Sequence, residues 1–338
     1  MTLRIAYLLE DTEMAGGIRV VAAHADALSE RGHDVALITK GNALDWRRSR
    51  ARWKFVRSFE EADLSRYNFV VATFWRTVEP AWKLAGSRTI HLCQGYEGSF
   101  TVYAPFKEAI DVVYRLPIPK ITVSPHLVEI CRRFWDDATY IGQIVDDDFF
   151  QPRQAHTGKP RVLLVGPMQT DFKGIETGYE AVRVARRAGA DFDLIRASQW
   201  PAAAGEPVEL ASEFHVGLPT PQMTKLLASC DIALSPSRSA EGFGLPAAEA
   251  MASGLAVILT TIPSFRSWSA GRDHAVFVDE NDSAAMGGAV ADLAADAAKR
   301  RRIAERGREI AEQFRAGKTA DRLEAYFSAR SPRRTSGR

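Results

Sequence analysis

Two glutamates with seven residues between them are the pair with the clearest chemical potential in this chain. Glu241 precedes the turn Gly242-Phe243-Gly244, and Glu249 lies within a run of good helix formers that begins at Leu245. Pro246 suits an early helical position, because its missing N–H would have no partner there. The pattern predicts a short helix, with one carboxylate on the loop before it and a second carboxylate inside it.

Apolar, strand-like runs on both sides determine where this helix lies. One run ends at Ser235 and the next begins at Leu255, so the helix is predicted to begin at the carboxyl edge of a parallel sheet. The free N–H groups at such a helix start attract an anion, for example a diphosphate. Carboxylates beside the anion would accept hydrogen bonds from flanking hydroxyl groups. A phosphate between two sets of hydroxyls describes a nucleoside-diphosphate sugar.

The stretch from Glu241 to Gly254 resembles the Glu-x7-Glu signature of retaining glycosyltransferases with the GT-B fold, in the large family-four group (glycosyl transferases group 1). The Gly-Phe-Gly-Leu turn and the Glu-Ala-Met-Ala run make the likeness specific. The resemblance implies an α/β protein of two Rossmann-like domains that face each other across a cleft, with a C-terminal helix crossing back to the N-terminal domain. The residues alone leave open a plain α/β crossover with two solvated acids.

The order of apolar and helical runs also favours an α/β fold with parallel sheets. The pattern starts twice, at residues 3–9 and again at residues 160–165. We therefore expect an N-terminal, acceptor-side domain at 1–145 that includes a last helix at about 315–330, a nucleotide-sugar donor domain at 155–314, and a basic tail at 331–338.

Composition indicates an ordinary globular protein, with 46% hydrophobic and 25% charged residues among 338 and a net charge of +2. The net charge does not by itself suggest a polyanion partner. Cys93, Cys131 and Cys230 form no CxxC motif and are expected to be reduced thiols. The N-terminus lacks the regions of a signal peptide, and no apolar run approaches roughly 18 residues. We expect a cytoplasmic protein, either free or peripheral at the inner face of the membrane.

Lys173 is the candidate cation for the leaving diphosphate, because it lies directly before Gly174 and a predicted helix start. The family usually has an Arg a few residues before this Lys, whereas residues 166–172 contain no basic side chain. Either Arg196 or Arg238 replaces it, or phosphate binding is weaker.

Gly16 and Gly17 follow the first strand, and their lack of Cβ atoms allows a phosphate or sugar to approach the backbone. No GxGxxG or Walker A sequence is present, so the sequence does not favour a binding site for NAD or ATP. The resemblance implies that Glu249 accepts hydrogen bonds from the ribose, while Glu241 lies nearer the transferred sugar. The full set of implied donor-binding residues is Gly16, Gly17, Phe243, Gly244, Leu245, Glu249, Arg238 and Arg196.

A strand of the first domain is predicted to end at Gln94, where related enzymes often place a His close to the sugar. The resemblance makes Gln94, with Glu241 and Lys173, the candidate catalytic set. His91 lies inside the strand and is expected to be a buried, hydrogen-bonded core histidine. The candidate acceptor-side residues are Glu97, Tyr96 and Ser124.

No metal motif is evident beyond the triplet 146–148, which is most simply a solvated linker. We expect no cofactor and no obligatory metal, with the nucleoside-diphosphate sugar as co-substrate. The basic, aromatic-containing segment 46–57 either contacts a polyanion or a membrane surface or is a solvated loop.

The resemblance implies transfer of a sugar to an acceptor hydroxyl with retention of anomeric configuration, the acceptor being a saccharide, a lipid-linked saccharide or another molecule. The alternative is a non-catalytic nucleotide-sugar sensor or scaffold, because the family's paired Arg is missing.

Overall fold

The computed structural model describes residues 2–13, 16–44, 48–151 and 158–331. The chain divides into two compact units. The first unit takes Met1–Gly98, Tyr103–Ile144 and the chain from Ala316 onward, and the second takes Ser99–Val102 and Val145–Arg315. Residues 332–338 of the expected basic tail lie outside the described part of the chain.

The strands in chain order are β1 (Arg4–Leu9), β2 (Asp34–Thr39), β3 (Arg52–Phe55), β4 (Phe69–Ala72), β5 (Thr89–Cys93), β6 (Lys120–Thr122), β7 (Ala138–Tyr140), β8 (Arg161–Val165), β9 (Asp193–Ser198), β10 (Glu213–Val216), β11 (Ile232–Ser235), β12 (Ala256–Thr260) and β13 (Val276–Val278).

The α-helices in chain order are α1 (Gly16–Glu30), α2 (Trp75–Ala85), α3 (Lys107–Arg115), α4 (Pro125–Arg132), α5 (Ile175–Arg187), α6 (Thr220–Ala228), α7 (Leu245–Ala252), α8 (Pro263–Arg266), α9 (Ser283–Ala295), α10 (Ala297–Ala311) and α11 (Ala316–Arg330). The first helix buries Val20, Val21, Ala25 and Leu28, as their helical spacing predicts.

Each unit is built on one parallel sheet. The first sheet has the strand order β3-β2-β1-β4-β5-β6-β7, and the second has the order β10-β9-β8-β11-β12-β13. In both sheets the order reverses beside the first strand of the unit, between β1 and β4 and between β8 and β11. Loops at the carboxyl ends of strands diverge at such a reversal and leave a crevice that binds ligands in open α/β sheets.

Apolar residues from helix and strand faces close the core of the second unit. Leu164 and Ile258 of the sheet lie in one buried cluster with Val182 of α5 and with Met286 and Val290 of α9. Burial of this apolar surface is the main term that stabilises the unit. The carboxyl edge of β8 and β11 is thereby held on a rigid base.

The last helix, α11, packs against α1 in the first unit. Ala320 lies with Ala23, Ala27 and Ile144 in one buried cluster, and Phe327 contacts Phe69 with ring centroids 5.0 Å apart. The expected return of the C-terminal helix to the N-terminal unit is confirmed.

The basic segment expected at 46–57 includes the edge strand β3, while Trp46 and Arg47 lie outside the described residues. Arg52 pairs with Asp34, and Arg50 pairs with Glu30 at 2.9 Å. Contact of this segment with a polyanion or membrane stays a prediction. No helix of the described residues is long and apolar enough to cross a bilayer.

Candidate active site

A pocket opens at the carboxyl edge of the second sheet, where the strand order reverses between β8 and β11. Its lining includes Val165 at the end of β8, Ser235 at the end of β11, and Pro246 near the start of α7. Lys173 and Glu241 supply its charged groups. The two predicted chemical elements, a cation and a carboxylate, therefore share one pocket.

Lys173 and Glu241 are in direct contact. Lys173 Nζ donates to Glu241 Oε2 at 2.6 Å, and the two side chains are only 17% and 8% exposed. Ser237 Oγ donates to the same oxygen at 3.2 Å. A charged pair largely removed from water is costly unless it is well hydrogen-bonded, and the Ser237 bond meets part of that requirement.

Helix α7 begins directly above this pocket. The first hydrogen bonds within this helix are donated by the backbone N–H groups of Ala247 and Ala248 to the carbonyl oxygen of Gly244. The backbone N–H groups before Ala247 therefore have no acceptor within the helix. Glu249 lies one turn inside the helix and is 2% exposed. The helix start can receive negative charge, because its amides and macrodipole point that way.

The turn before α7 is fixed by aromatic packing. Phe243 is buried against Trp268 and Phe314, with ring centroids 5.3 and 5.0 Å apart. Gly244 has φ of +91°, and a Cβ built there would lie 2.1 Å from Phe265. Only glycine fits this conformation and this space. Phe243 therefore anchors the loop through its side chain and leaves the backbone of the turn beside the pocket.

Arg238 lies near Lys173 in the loop after β11. Its backbone N–H donates to the carbonyl oxygen of Phe172 at 2.7 Å. Its side chain is 32% exposed, with Nε donating to Asn281 at 3.0 Å and Nη2 lying 4.0 Å from Glu176. Such weak, partly exposed partners leave the guanidinium able to turn towards an anion.

The guanidinium of Arg196 is not able to turn towards an anion in this way. Its guanidinium is fully buried, with Nε donating to Glu206 Oε1 at 2.9 Å and Nη1 to the carbonyl oxygen of Leu164 at 3.2 Å. Glu206 also accepts from the hydroxyl of Tyr179 at 3.1 Å. The expectation that Arg196 contacts the donor is therefore wrong, because this ion pair holds the loop after β9 and leaves no exposed guanidinium.

In the first unit, the structure brings Gly17 and Gln94 together. Gly16 and Gly17 begin α1, and a Cβ built on Gly17 would lie 3.4 Å from Oε1 of Gln94. Gln94 follows the end of β5, as predicted, and its amide nitrogen lies 3.5 Å from the carbonyl oxygen of Thr73. Loops after β1, β4 and β5 thus meet at the carboxyl edge of this sheet.

Glu97 is a buried acid at this edge, and its pKa is shifted from the ordinary value. Its Oε1 accepts from the backbone N–H of Trp75 at 3.2 Å, and its Oε2 accepts from the hydroxyl of Tyr114 at 2.5 Å. Burial raises the pKa of Glu97 to about 7, although these hydrogen bonds oppose the shift. Tyr114 was missed by the sequence reasoning, since nothing local shows that a tyrosine of α3 reaches back to this acid.

The other acceptor-side candidates have partners in the first unit. The hydroxyl of Tyr96 pairs with Asp111 and accepts from Lys107 Nζ at 3.3 Å. Ser124 is buried at the start of α4, with its Oγ 2.8 Å from Nδ1 of His126. Their part in acceptor binding stays a prediction.

His91 is buried, as expected, but it is not hydrogen-bonded. Both ring nitrogens lack a partner among the described residues, and the ring packs edge-on against Tyr114 at 4.9 Å. Burial lowers the pKa of His91 to about 3, so the ring is neutral at physiological pH. The hydrogen-bonding part of the expectation is wrong because apolar packing surrounds the ring.

Among the described residues, no three His, Cys, Asp or Glu side chains cluster in a way that could hold a metal ion. Cys93, Cys131 and Cys230 are buried free thiols. Asp147 of the acidic triplet pairs with Arg315 at 2.7 Å. The expectation of metal-independent chemistry stays a prediction.

Residues 146–310 match the family model described as Glycosyl transferases group 1. The match covers just under half of the chain and includes Lys173, Glu241 and Glu249. No curated protein sequence matches the chain closely.

Solved structures show the same architecture over nearly the whole chain. A sucrose-phosphate synthase from Thermosynechococcus elongatus superimposes with a TM-score of 0.77 at 17% identity, covering 97% of this chain and 98% of that chain. HepE of Anabaena, in complex with UDP-glucose, gives a TM-score of 0.79 at 12% identity and covers 97% and 100%. A glycosyltransferase from Rickettsia africae gives 0.74 at 16%, covering 97% and 98%. At these identities the likeness establishes the fold, and the expected GT-B architecture is confirmed.

Proposed function

We propose that this chain, whose residues 146–310 match the glycosyl transferases group 1 model, moves a sugar from a nucleoside-diphosphate sugar to an acceptor hydroxyl with retention of configuration. The Lys173–Glu241 pair beneath the start of α7 is the observation that carries the proposal. The pocket combines a half-buried cation, a buried carboxylate and helix-start amides. Those are the groups needed for a diphosphate with a hydroxyl-bearing sugar attached.

Donor binding rearranges the charges of this pocket. A diphosphate at the start of α7 competes with Glu241 for Lys173, because a divalent or trivalent anion attracts the ammonium more strongly than one carboxylate. Lys173 then offsets one negative charge of the diphosphate, and Glu241 becomes able to accept hydrogen bonds from the sugar. Ser237 still donates to Glu241 and keeps the carboxylate in place.

The chemical step breaks the bond between the anomeric carbon and the diphosphate oxygen, and the bonding electrons leave with the diphosphate. Positive charge grows on the sugar ring, and Glu241 stabilises it from a fixed position. The acceptor oxygen bonds to the anomeric carbon on the face that the diphosphate leaves. The acceptor proton passes to the departing phosphate oxygen, so that atoms and charge balance. Lys173 and the helix-start amides stabilise the leaving group.

The remaining predicted residues have supporting parts in this proposal. Glu249 accepts hydrogen bonds from the ribose, and the turn amides that precede Ala247 lie near the diphosphate. Arg238 supplies the second cation, because its guanidinium is partly exposed beside the Lys173 segment. Gln94, beside Gly17 in the first unit, is proposed to contact the transferred sugar.

A donor screen tests the proposal. Thermal shift and calorimetry with UDP, GDP, ADP and dTDP, and with their sugar conjugates, should identify one base that stabilises the folded chain, because such ligands bind only the folded state. Lys173→Met should abolish the shift, whereas Lys225→Met should retain it, because Lys225 is an exposed lysine of α6 outside the pocket.

Product analysis tests the stereochemistry. Proton NMR of the first-formed product should show the same anomeric configuration as the donor, and an inverted centre would contradict retention. Binding of a nucleoside-diphosphate sugar without hydrolysis or transfer would instead favour the sensor function. Absence of affinity for every activated sugar would refute the proposal as a whole.

A further inference from the structure

The first unit carries a row of aromatic side chains at the carboxyl edge of its sheet, beside β4 and β5. The members of this aromatic row, in spatial order, are Tyr103, Phe74, Trp75 and Phe106, with successive ring centroids 5.7, 5.9 and 5.8 Å apart. Phe74 and Trp75 lie where β4 passes into α2, and the other two lie in the 3₁₀ segment before α3. Phe106 is 42% exposed.

Polar groups surround the row. The Glu97 carboxylate accepts from the backbone N–H of Trp75, and Gln94 lies against the carbonyl group of Thr73, immediately before Phe74. Arg76 places its guanidinium 5.0 Å from the ring centre of Trp75. The charges of Glu97 and Arg76 are both close enough to influence the pKa of Tyr103, which burial raises.

This combination suits a sugar ring better than an alkyl chain. One face of a pyranose is made of C–H groups and packs on an aromatic ring, which removes apolar surface from water. Its edge carries hydroxyl groups, which donate to carboxylates and exchange hydrogen bonds with amides. The Glu97 carboxylate accepts from the backbone N–H of Trp75, the hydroxyl of Tyr114 and its own backbone N–H, which leaves one of its roughly four lone-pair positions for a further hydrogen bond. An alkyl chain offers no hydrogen bond to these polar groups.

We propose that the aromatic row binds a saccharide acceptor, with a pyranose ring stacked on its exposed rings and with ring hydroxyls bonded to Glu97. The inference rests on the proposed function and narrows its acceptor to a sugar. Trp75 and Phe106 set the position of the ring, and Glu97 sets which hydroxyl groups are held. The row thereby determines acceptor specificity without taking part in the bond-breaking step.

Transfer kinetics with simple sugars test this assignment. The probes are the methyl glycosides of glucose, galactose, mannose, rhamnose and N-acetylglucosamine, with n-octanol as the apolar alternative and the donor selected by the screen above. The wild-type chain should transfer to at least one methyl glycoside and not to octanol. Release of nucleoside diphosphate above the rate of donor hydrolysis reports transfer.

The variants are Trp75→Leu and Phe106→Ala, with Trp135→Leu as the matched control. Trp135 is a first-unit tryptophan that is 39% exposed and lies outside the row. Because Phe106 is exposed, its removal keeps the test valid if Trp75→Leu fails to fold. Trp75→Leu and Phe106→Ala should raise the acceptor KM about tenfold or more, as loss of an aromatic anchor does. Donor KM and donor hydrolysis should stay within about twofold, and the control should change neither.

Three results would overturn the inference. They are an unchanged acceptor KM in both row variants, transfer to octanol but to no methyl glycoside, and donor hydrolysis by a chain that no methyl glycoside accelerates. Each of these leaves donor binding intact. Failure of the proposed function is distinguishable, because it would appear as a wild-type chain that binds no nucleoside diphosphate, or that binds a nucleoside-diphosphate sugar without hydrolysing or transferring it.

Discussion

Replacing Lys173 by Met should destabilise the second unit strongly, because the Glu241 carboxyl group would lose its ion-pair partner in a pocket that shields it from water. At the observed 2.6 Å, the gross attraction of the pair is about 6 kcal/mol with an effective dielectric constant of about 20. Desolvation offsets much of this, and loss of one partner of a buried pair costs about 3–5 kcal/mol. Since Lys173 is 17% exposed, we expect about 3 kcal/mol.

A double-mutant cycle measures the same quantity. Lys173→Met, Glu241→Gln and the double variant are compared by urea denaturation, with Lys225→Met as the control for removal of a lysine charge. The double variant should recover at least ~2 kcal/mol relative to the sum of the single variants, as directly interacting residues do. The melting temperature of Lys173→Met should fall by about 6–12 °C, for a unit of this size. Free energies of unfolding that add within ~0.5 kcal/mol would refute the reasoning.

Three further predictions follow from the same geometry. Glu241→Gln should bind the cognate nucleoside diphosphate about 5–30-fold more tightly by calorimetry, because the anion no longer competes with a carboxylate for Lys173. Sugar transfer by this variant should nevertheless be slower by about 10²-fold. An unchanged affinity would contradict the proposed competition. Gly244→Ala should cost at least ~2 kcal/mol in denaturant unfolding, because its Cβ would lie 2.1 Å from Phe265; a smaller loss would show that the turn relaxes. The pKa of Glu97 is raised to about 7 from 4.5, so its stabilising contribution is present below pH 4.5 and is lost as the pH rises to 7. The loss is about 3 kcal/mol, and Glu97→Gln should remove this part of the pH dependence.

The fold followed from the sequence because parallel α/β units have a strong local signal. Alternating apolar and helical runs marked the strands, and the second start near residue 160 marked the second sheet. Helix α7 was placed by Pro246 and Gly254 together with the two acids, and it begins after β11 as predicted. The Ala-rich region after residue 282 divides into α9 and α10.

Contacts between distant residues were not predictable in the same way. The bond between Lys173 and Glu241 spans 68 positions, and only the shared carboxyl edge of β8 and β11 indicates that the two meet. Ser237, which completes this group, has no motif of its own. These contacts depend on how loops fold over a sheet edge. The spacing of apolar residues along the chain does not predict the conformation of loops.

The charge of Arg196 alone predicts contact with an anion, whereas its position within β9 predicts a buried ion pair. It lies inside the apolar run of β9, where a guanidinium needs a buried acceptor. Glu206, ten residues later, supplies one. A basic residue in the middle of a buried strand therefore predicts an ion pair with a nearby acid, and only secondarily contact with a ligand.

Every charged group of the pocket beneath α7 comes from one stretch of the second unit, between β8 and the end of α7. The aromatic row comes entirely from the first unit. On the proposed assignments, sequence change in the first unit alters the choice of acceptor, while the donor pocket of the second unit is inherited intact. Chimaeras that exchange residues 1–144 together with α11 between relatives would test whether the acceptor can be changed while the donor is kept.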